Sequence, residues 1–139
     1  MTLETVHPVK YRAQARLAIT VARLLILLSP DRLAAVLTRL CRGAAHASAT
    51  EAGEARNVVC ALSPRCTGQG CLQRSVAVVI LCRLRGSAPD WRAGFAMHPF
   101  TAHAWVEVDG RPVGEPEKVS AYTVVHASHV RPSRARSRS

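Results

Sequence analysis

A cysteine at the expected start of a helix and a histidine on an expected strand are the residues here best suited to chemistry. Cys71 follows the turn Thr67-Gly68-Gln69-Gly70 and opens the segment CLQRSVAVVILCRLR. The free N–H groups and the positive dipole end of a helix N-terminus favour a thiolate, the nucleophilic form of cysteine. A cysteine nucleophile needs a base within hydrogen-bond reach, and His103 in TAHAWVEV is the candidate. A small buried core residue is the alternative interpretation of Cys71.

The base needs an acceptor that orients its ring, and the hairpin after the strand supplies Glu115 as a candidate. Asp109-Gly110 is a turn signal. If the loop comprises residues 108–110 with the glycine in a left-handed bulge position, His103 lies opposite Glu115 and shares its face of the sheet. A two-residue loop would place Pro116 opposite His103 and turn Glu115 to the other face.

Two strings of residues resemble a known family. Cys71-Leu72-Gln73-Arg74-Ser75 and His103-Ala104-Trp105-Val106-Glu107-Val108-Asp109-Gly110 are similar to segments of the transglutaminase-like cysteine peptidases of lasso-peptide biosynthesis. The resemblance covers most of residues 11–126 and implies a papain-like α+β core. It implies that Cys71 is the nucleophile, His103 the general base and Glu115 the acid, where the family usually has aspartate. Asp109, which falls in the turn itself, is the alternative acid.

The resemblance also implies an activity and partners. The enzyme would cleave the leader from a ribosomally made precursor peptide, with the help of a separate leader-recognition protein. An ATP-dependent lasso cyclase would then close the ring on the freed core. The sequence contains no glycine-rich phosphate loop, so we expect this chain to carry no nucleotide or other cofactor. A catalytically silent basic peptide-binding module and an acyl-transferring enzyme are the alternative functions.

Three further residues are candidates for contacts with substrate or oxyanion. Gln69 and the backbone N–H of Cys71 could donate to an oxyanion. Arg74 lies one helical turn from Cys71 and either holds substrate or thiolate or is a solvated or ion-paired residue. Trp105 alternates with His103 on the strand and either lines the site or belongs to the core.

The elements that must position these residues are helices first and a small antiparallel sheet afterwards, an α+β arrangement. We predict helices over residues 11–28, from Ser29-Pro30-Asp31 to about Gly43, and from the capping box at residues 48–51 to about Leu62. The apolar segment from Cys71 to Arg85 predicts a central buried helix. Strands are expected over residues 89–97, 101–108, 111–115 and 121–125, whereas residues 44–50 are expected to form a loop.

These elements predict one transglutaminase-like domain over residues 10–130. Its helical part would span residues 10–62 and its catalytic core residues 71–126. Residues 1–9 are expected to be flexible, and the Ser/Arg-rich residues 131–139 to form a disordered basic tail.

The composition limits the partners, metal sites and cellular compartment that we expect for this protein. A formal net charge of +10 favours an acidic partner, but six aromatic residues and no standard motif argue against nucleic acid. The five cysteines lack a CxxC pair, so we expect no metal site. The most apolar stretch, residues 17–28, is shorter than the roughly 20 residues that a bilayer requires, and no secretory signal is recognisable. We therefore expect a cytoplasmic protein without a transmembrane segment.

Overall fold

A computed structural model of the chain describes residues 8–63, 71–96, 101–113 and 123–128. Four helices precede most of the strands, so the predicted α+β class is confirmed. In chain order the elements are α1 (Pro8–Leu25), α2 (Pro30–Leu40), β1 (Ala45–His46), α3 (Ala49–Leu62), α4 (Cys71–Leu84), β2 (Ser87–Ala88), β3 (Asp90–Ala96), β4 (Thr101–Val108), β5 (Arg111–Pro112) and β6 (Thr123–Ser128).

Local hydrogen bonds fix the starts of α2 and α3 where the sequence predicts them. The Ser29 side chain caps α2, whose first residue is proline. At the start of α3 the Glu51 backbone N–H donates to Ser48 Oγ at 3.0 Å, and the Ser48 N–H donates to Glu51 Oε1 at 2.9 Å. This reciprocal pair is the predicted capping box, and it satisfies two backbone donors that the helix leaves unpaired.

Helix α4 is the centre of the molecule, as its apolar sequence predicts. Every residue from Gln73 to Cys82 is buried. The helix packs against α1 and α3 on one side and against β3 and β4 on another. A helix surrounded in this way buries apolar side chains around its whole circumference, which stabilises its position relative to every neighbour.

Small residues allow α1 to approach α4 closely. Ala15, Ala18 and Ala22 are fully buried and, with Ile19, form one stripe along α1. Their spacing of three and four residues places them on a single helix face. The first helix begins three residues earlier and ends three residues earlier than the predicted bounds of 11–28.

The strands form a four-stranded antiparallel sheet in the order β5-β4-β3-β6. A separate two-stranded sheet pairs β1 with β2 in parallel, although residues 44–50 were expected to be a loop. Such a two-residue strand has too little sequence to carry an alternation signal. Strand β6 begins two residues after its predicted start at residue 121 and extends to Ser128.

A bulge in β6 brings this strand very close to β3. Ala93 pairs with His126 and Gly94 pairs with Val124, so Val125 is an extra residue between two successive pairs. A Cβ atom at Gly94 would lie 2.9 Å from the carbonyl carbon of Thr123 and closer still to its oxygen. Gly94 is therefore required for the approach of the two strands.

The hairpin between β4 and β5 has a two-residue loop, so the predicted three-residue loop is wrong. That loop would pair Glu107 with Arg111, whereas Glu107 pairs with Pro112 and Val108 with Arg111. Asp109 and Gly110 both have positive φ angles, 54° and 79°, which fits the tight turn that matches the twist of paired strands. The register that placed Glu115 opposite His103 is thereby lost. Glu115 itself lies outside the described residues.

None of the helices in the described ranges is long and apolar enough to cross a membrane. The single-domain boundaries stay a prediction, since residues 1–7 and 129–139 lie outside the part of the chain that the structure describes.

Gly94 and Gly53 provide a matched pair of stability tests. We expect Gly94→Ala to lower the free energy of unfolding by about 1–3 kcal/mol, because its methyl group meets the β6 backbone. Gly53→Ala, in helix α3 with open space around it, should raise that free energy by about 0.5–1 kcal/mol. Urea unfolding measures both changes, and equal effects of the two substitutions would contradict the close strand approach.

Candidate active site

Cys71 is the first residue of α4 and is half-buried where this helix meets the sheet. Its own backbone N–H belongs to the first helical turn, so the helix provides no carbonyl partner for it. The buried body of α4 fixes the position of its first turn, and therefore of the sulfur atom. The sequence prediction of a cysteine at the start of a buried helix is confirmed.

The structure brings His103 and the Cys71 side chain together. The His103 side chain hydrogen-bonds with Cys71, and the backbone N–H of Ala104 donates a second hydrogen bond to the sulfur. In β4 the Val106 carbonyl accepts a hydrogen bond from Val113 on the β5 side of the strand. Because backbone polar groups two residues apart point the same way, the Ala104 N–H also points to that side. Cys71 thus occupies a hydrogen-bonding position along the edge of β4.

Opposing effects set the acidity of the Cys71 thiol. Burial raises its pKa, but the hydrogen bonds from His103 and Ala104 and the charges of His103 and Arg74 outweigh burial and lower the pKa below its ordinary value. Arg74 is only 7% exposed, which excludes the solvated alternative. The arrangement holds a thiolate close to a histidine, the combination that nucleophilic catalysis by cysteine requires.

Two other cysteines show how much this environment matters. Burial raises the pKa of Cys41 to about 11 and that of Cys82 to about 12. Both side chains belong to the apolar core. Burial raises the pKa of all three thiols. The pKa of Cys71 is nevertheless lowered, because hydrogen bonds from His103 and Ala104 stabilise its thiolate.

A second set of side chains lies behind His103 on the same face of β4. The rings of His103 and Trp105 are stacked with centroids 5.7 Å apart and planes at 20°. The Trp105 indole N–H donates to Glu107 Oε2 at 2.9 Å, and Glu107 Oε1 lies 3.4 Å from Nε of Arg92. Trp105 is 2% exposed and therefore supports one side of the imidazole with a buried, anchored ring.

Glu107 is the residue of this set that sequence reasoning missed, since it was not among the candidate site residues. The strand period of two places His103, Trp105 and Glu107 on one face, and this signal was present in the sequence. The partner Arg92 was not predictable, because it reaches Glu107 only through the register of β3 against β4.

The described part of the structure does not place either candidate acid or Gln69 at the site. Asp109 is exposed in the turn six residues beyond His103, about 20 Å along an extended strand, so its carboxylate is too distant to orient the imidazole. Glu115 and Gln69 lie outside the described residues. Within the described ranges, no cluster of three or more histidine, cysteine, aspartate and glutamate side chains could hold a metal ion.

A cavity of about 450 Å³ opens beside the reactive pair. Cys71 and His103 form part of its wall, and the remaining wall is largely apolar. The segment between α1 and α2, the start of α2, the start of α4 and the β3, β4 and β6 strands all contribute to it. This volume lies within the range of roughly 300–1,000 Å³ that is typical of binding pockets in proteins.

Comparison with models of known protein families identifies the family of this chain. The family described as the transglutaminase-like superfamily matches residues 15–127, more than half of the chain and the part that includes both reactive residues. The chain belongs to this superfamily. Its members are generally enzymes with a cysteine nucleophile, cysteine peptidases or acyltransferases. No match of comparable significance was found among curated proteins or among solved structures.

The contrast between the cysteines predicts selective alkylation. In the folded protein near neutral pH, iodoacetamide should modify Cys71 at least about tenfold faster than Cys41 or Cys82. The lowered pKa of Cys71 gives it a much larger thiolate fraction, which outweighs the lower intrinsic nucleophilicity of a less basic thiolate. Cys60, half-buried on α3, is the internal control for access alone. Peptide mapping by mass spectrometry measures each rate. Modification of Cys60 faster than Cys71 would contradict an activated thiolate.

Proposed function

We propose that the protein is a cysteine peptidase that removes the leader from a ribosomally made lasso-peptide precursor. The observation that carries the peptidase assignment is the hydrogen bond between the Cys71 and His103 side chains at the start of α4, with the Cys71 pKa lowered. The assignment of a lasso precursor depends on the CLQRS and HAWVEVDG strings. The net charge of +10 suits an acidic leader peptide.

In the proposed reaction the Cys71 thiolate attacks the carbonyl carbon of the scissile peptide bond. The backbone N–H of Cys71 donates to the resulting oxyanion, and the His103 imidazolium gives its proton to the leaving nitrogen as the C–N bond breaks. The core peptide leaves with a free α-amine, and the leader remains as a thioester on Cys71. His103 then takes a proton from water, whose oxygen attacks the thioester carbonyl carbon. The C–S bond breaks, the leader leaves with a free carboxyl group, and the Cys71 thiolate is regenerated.

The remaining parts of the proposal concern partners. A separate leader-recognition protein presents the precursor, and an ATP-dependent cyclase uses the core that has been released. Glu115 is the proposed acid that orients His103, on the strength of the family resemblance alone, because the hairpin register no longer supports it.

Acyl transfer to an amine is the second candidate function. The superfamily includes acyltransferases, and the largely apolar cavity beside Cys71 offers few polar partners for a hydrolytic water. Hydrolysis and transfer share the thioester, so the acceptor alone distinguishes them. A catalytically silent peptide-binding module is disfavoured by the lowered pKa of Cys71.

Cleavage of a precursor peptide from the same source tests the proposal. We expect the wild-type protein, with its leader-recognition partner, to cleave one bond. Cys71→Ala should abolish cleavage, and His103→Ala should slow it by about 10²–10⁴-fold, because the proton donor to the leaving amine is lost. Mass spectrometry of the products gives the cleaved bond and shows whether water or an amine received the acyl group.

Cys60→Ala is the matched control, since it removes a half-buried thiol outside the site. It should cleave at the wild-type rate. Cleavage by Cys71→Ala at the wild-type rate would move the chemistry away from this residue. Intact leader binding with no cleavage by the wild type would favour the silent binding module.

A further inference from the structure

The cavity beside Cys71 and His103 has walls suited to an apolar group. Ile26 and Leu33 line it from the helical side, and Trp91 and Ala93 line it from the sheet. The polar atom of the Trp91 ring is already used, because its indole N–H donates to Ser75 Oγ at 3.0 Å. The polar side chains of Cys71 and His103 are hydrogen-bonded to each other. A polar group entering this space would lose hydration and gain few partners among the described lining residues.

The cavity is local to the reactive pair, because the core next to it is closely packed. Protein interiors contain few voids larger than a water molecule, and the side chains of α4 just below Cys71 are almost completely buried. Gly94 lies opposite His103 in the β3–β4 register and lines the cavity, so this position of β3 places no side chain beside the imidazole.

The bulge in β6 determines one side of the opening. Val125 is the extra residue of this bulge, is 54% exposed and lines the cavity. Its neighbour Val124 is 45% exposed and does not line it. Bulges turn a side chain out of the regular alternation of a strand, often next to active sites. Here the bulge adds an apolar side chain to the opening beside the reactive pair.

We propose that this cavity binds a large apolar side chain of the substrate peptide at one of the two positions that precede the scissile bond. The inference rests on the proposed peptidase function and names the class of residue that the site selects. Cys71 and His103 both border the cavity. A side chain bound there therefore lies next to the carbonyl that the thiolate attacks, which identifies the occupant as part of the substrate peptide. Val125, Leu33 and Trp91 are the proposed specificity-determining residues.

Small irreversible probes of Cys71 test this without the natural precursor. The probes are acetyl-X-glycyl and acetyl-glycyl-X chloromethyl ketones, with leucine or glutamine as X. The thiolate displaces chloride from each probe, so mass spectrometry of the alkylated protein gives the rate. In at least one of the two series we expect the leucine probe to react about 10–100-fold faster than the glutamine probe, because only leucine gains from burial. A ratio within about twofold in both series would overturn the proposal.

Val125→Asp and Val124→Asp are the matched variants. Both positions are exposed, so either substitution should leave the fold intact. Val125→Asp should slow the preferred leucine probe by about tenfold or more, because a carboxylate at the opening must be desolvated. Val124→Asp should leave that rate unchanged. Equal effects of the two substitutions would contradict a role for this wall of the cavity.

A filling substitution provides a second, independent variant. Ala102 is exposed and lines the cavity, so Ala102→Leu should reduce the cavity volume and the preference for leucine over glutamine. Ala35→Leu, the same change at an exposed position of α2 outside the cavity, is its control. An undiminished preference in Ala102→Leu would count against the proposal.

Iodoacetamide separates this inference from the proposed function, because it is too small to need the cavity. Rapid iodoacetamide reaction at Cys71 without a leucine preference would overturn the cavity inference and leave the nucleophile in place. A clear leucine preference in a protein that does not cleave the precursor would uphold the cavity and reject the leader peptidase. Slow reaction of Cys71 with every probe would overturn both.

Discussion

The contact between the first turn of α4 and the edge of β4 is the constraint on which the rest of the site depends. It joins residues that are 32 positions apart in the chain, Cys71 and His103, through a side-chain hydrogen bond and a backbone N–H from Ala104. The apolar body of α4 stabilises this contact, because the helix is enclosed by α1, α3 and the sheet. The hydrophobic core thus holds the reactive sulfur in place.

Burial by itself raises the pKa of a thiol and so disfavours the thiolate, but hydrogen-bond donors and charges around Cys71 outweigh this effect. A buried thiol without donors is a weak acid, as Cys41 and Cys82 illustrate. The pKa of Cys71 is instead lowered, because a histidine, a backbone N–H and the buried charge of Arg74 all favour its thiolate. Behind the histidine, the stacked Trp105 ring is anchored by Glu107, which is itself held by Arg92. A short chain of contacts therefore runs from the sheet interior to the imidazole.

The sequence predicted best those features that depend on neighbouring residues. The capping box at Ser48 and Glu51 and the buried helix from Cys71 follow from local patterns, and both are confirmed. The pairing of Cys71 with His103 was predictable from residue types and a family resemblance. The β4–β5 register was not, because the Asp109-Gly110 turn permits loops of two or three residues and one residue of difference changes every opposing pair. The Val125 bulge and the Arg92–Glu107 pair depend on strand register and left no comparable local signal.

The most direct test of the account is the titration of the Cys71 thiolate, followed by its ultraviolet absorbance as the difference between the wild type and Cys71→Ser. A thiol is charged above its pKa, so a lowered pKa means that the absorbance persists to lower pH. We predict a midpoint below the ordinary value of a cysteine thiol, and a clear rise of that midpoint in the His103→Ala background, because the hydrogen bond and the charge of His103 are lost. His46→Ala, an exposed histidine on β1, should leave the midpoint unchanged. A Cys71 midpoint that does not respond to His103→Ala would contradict the central claim that this histidine activates the thiol.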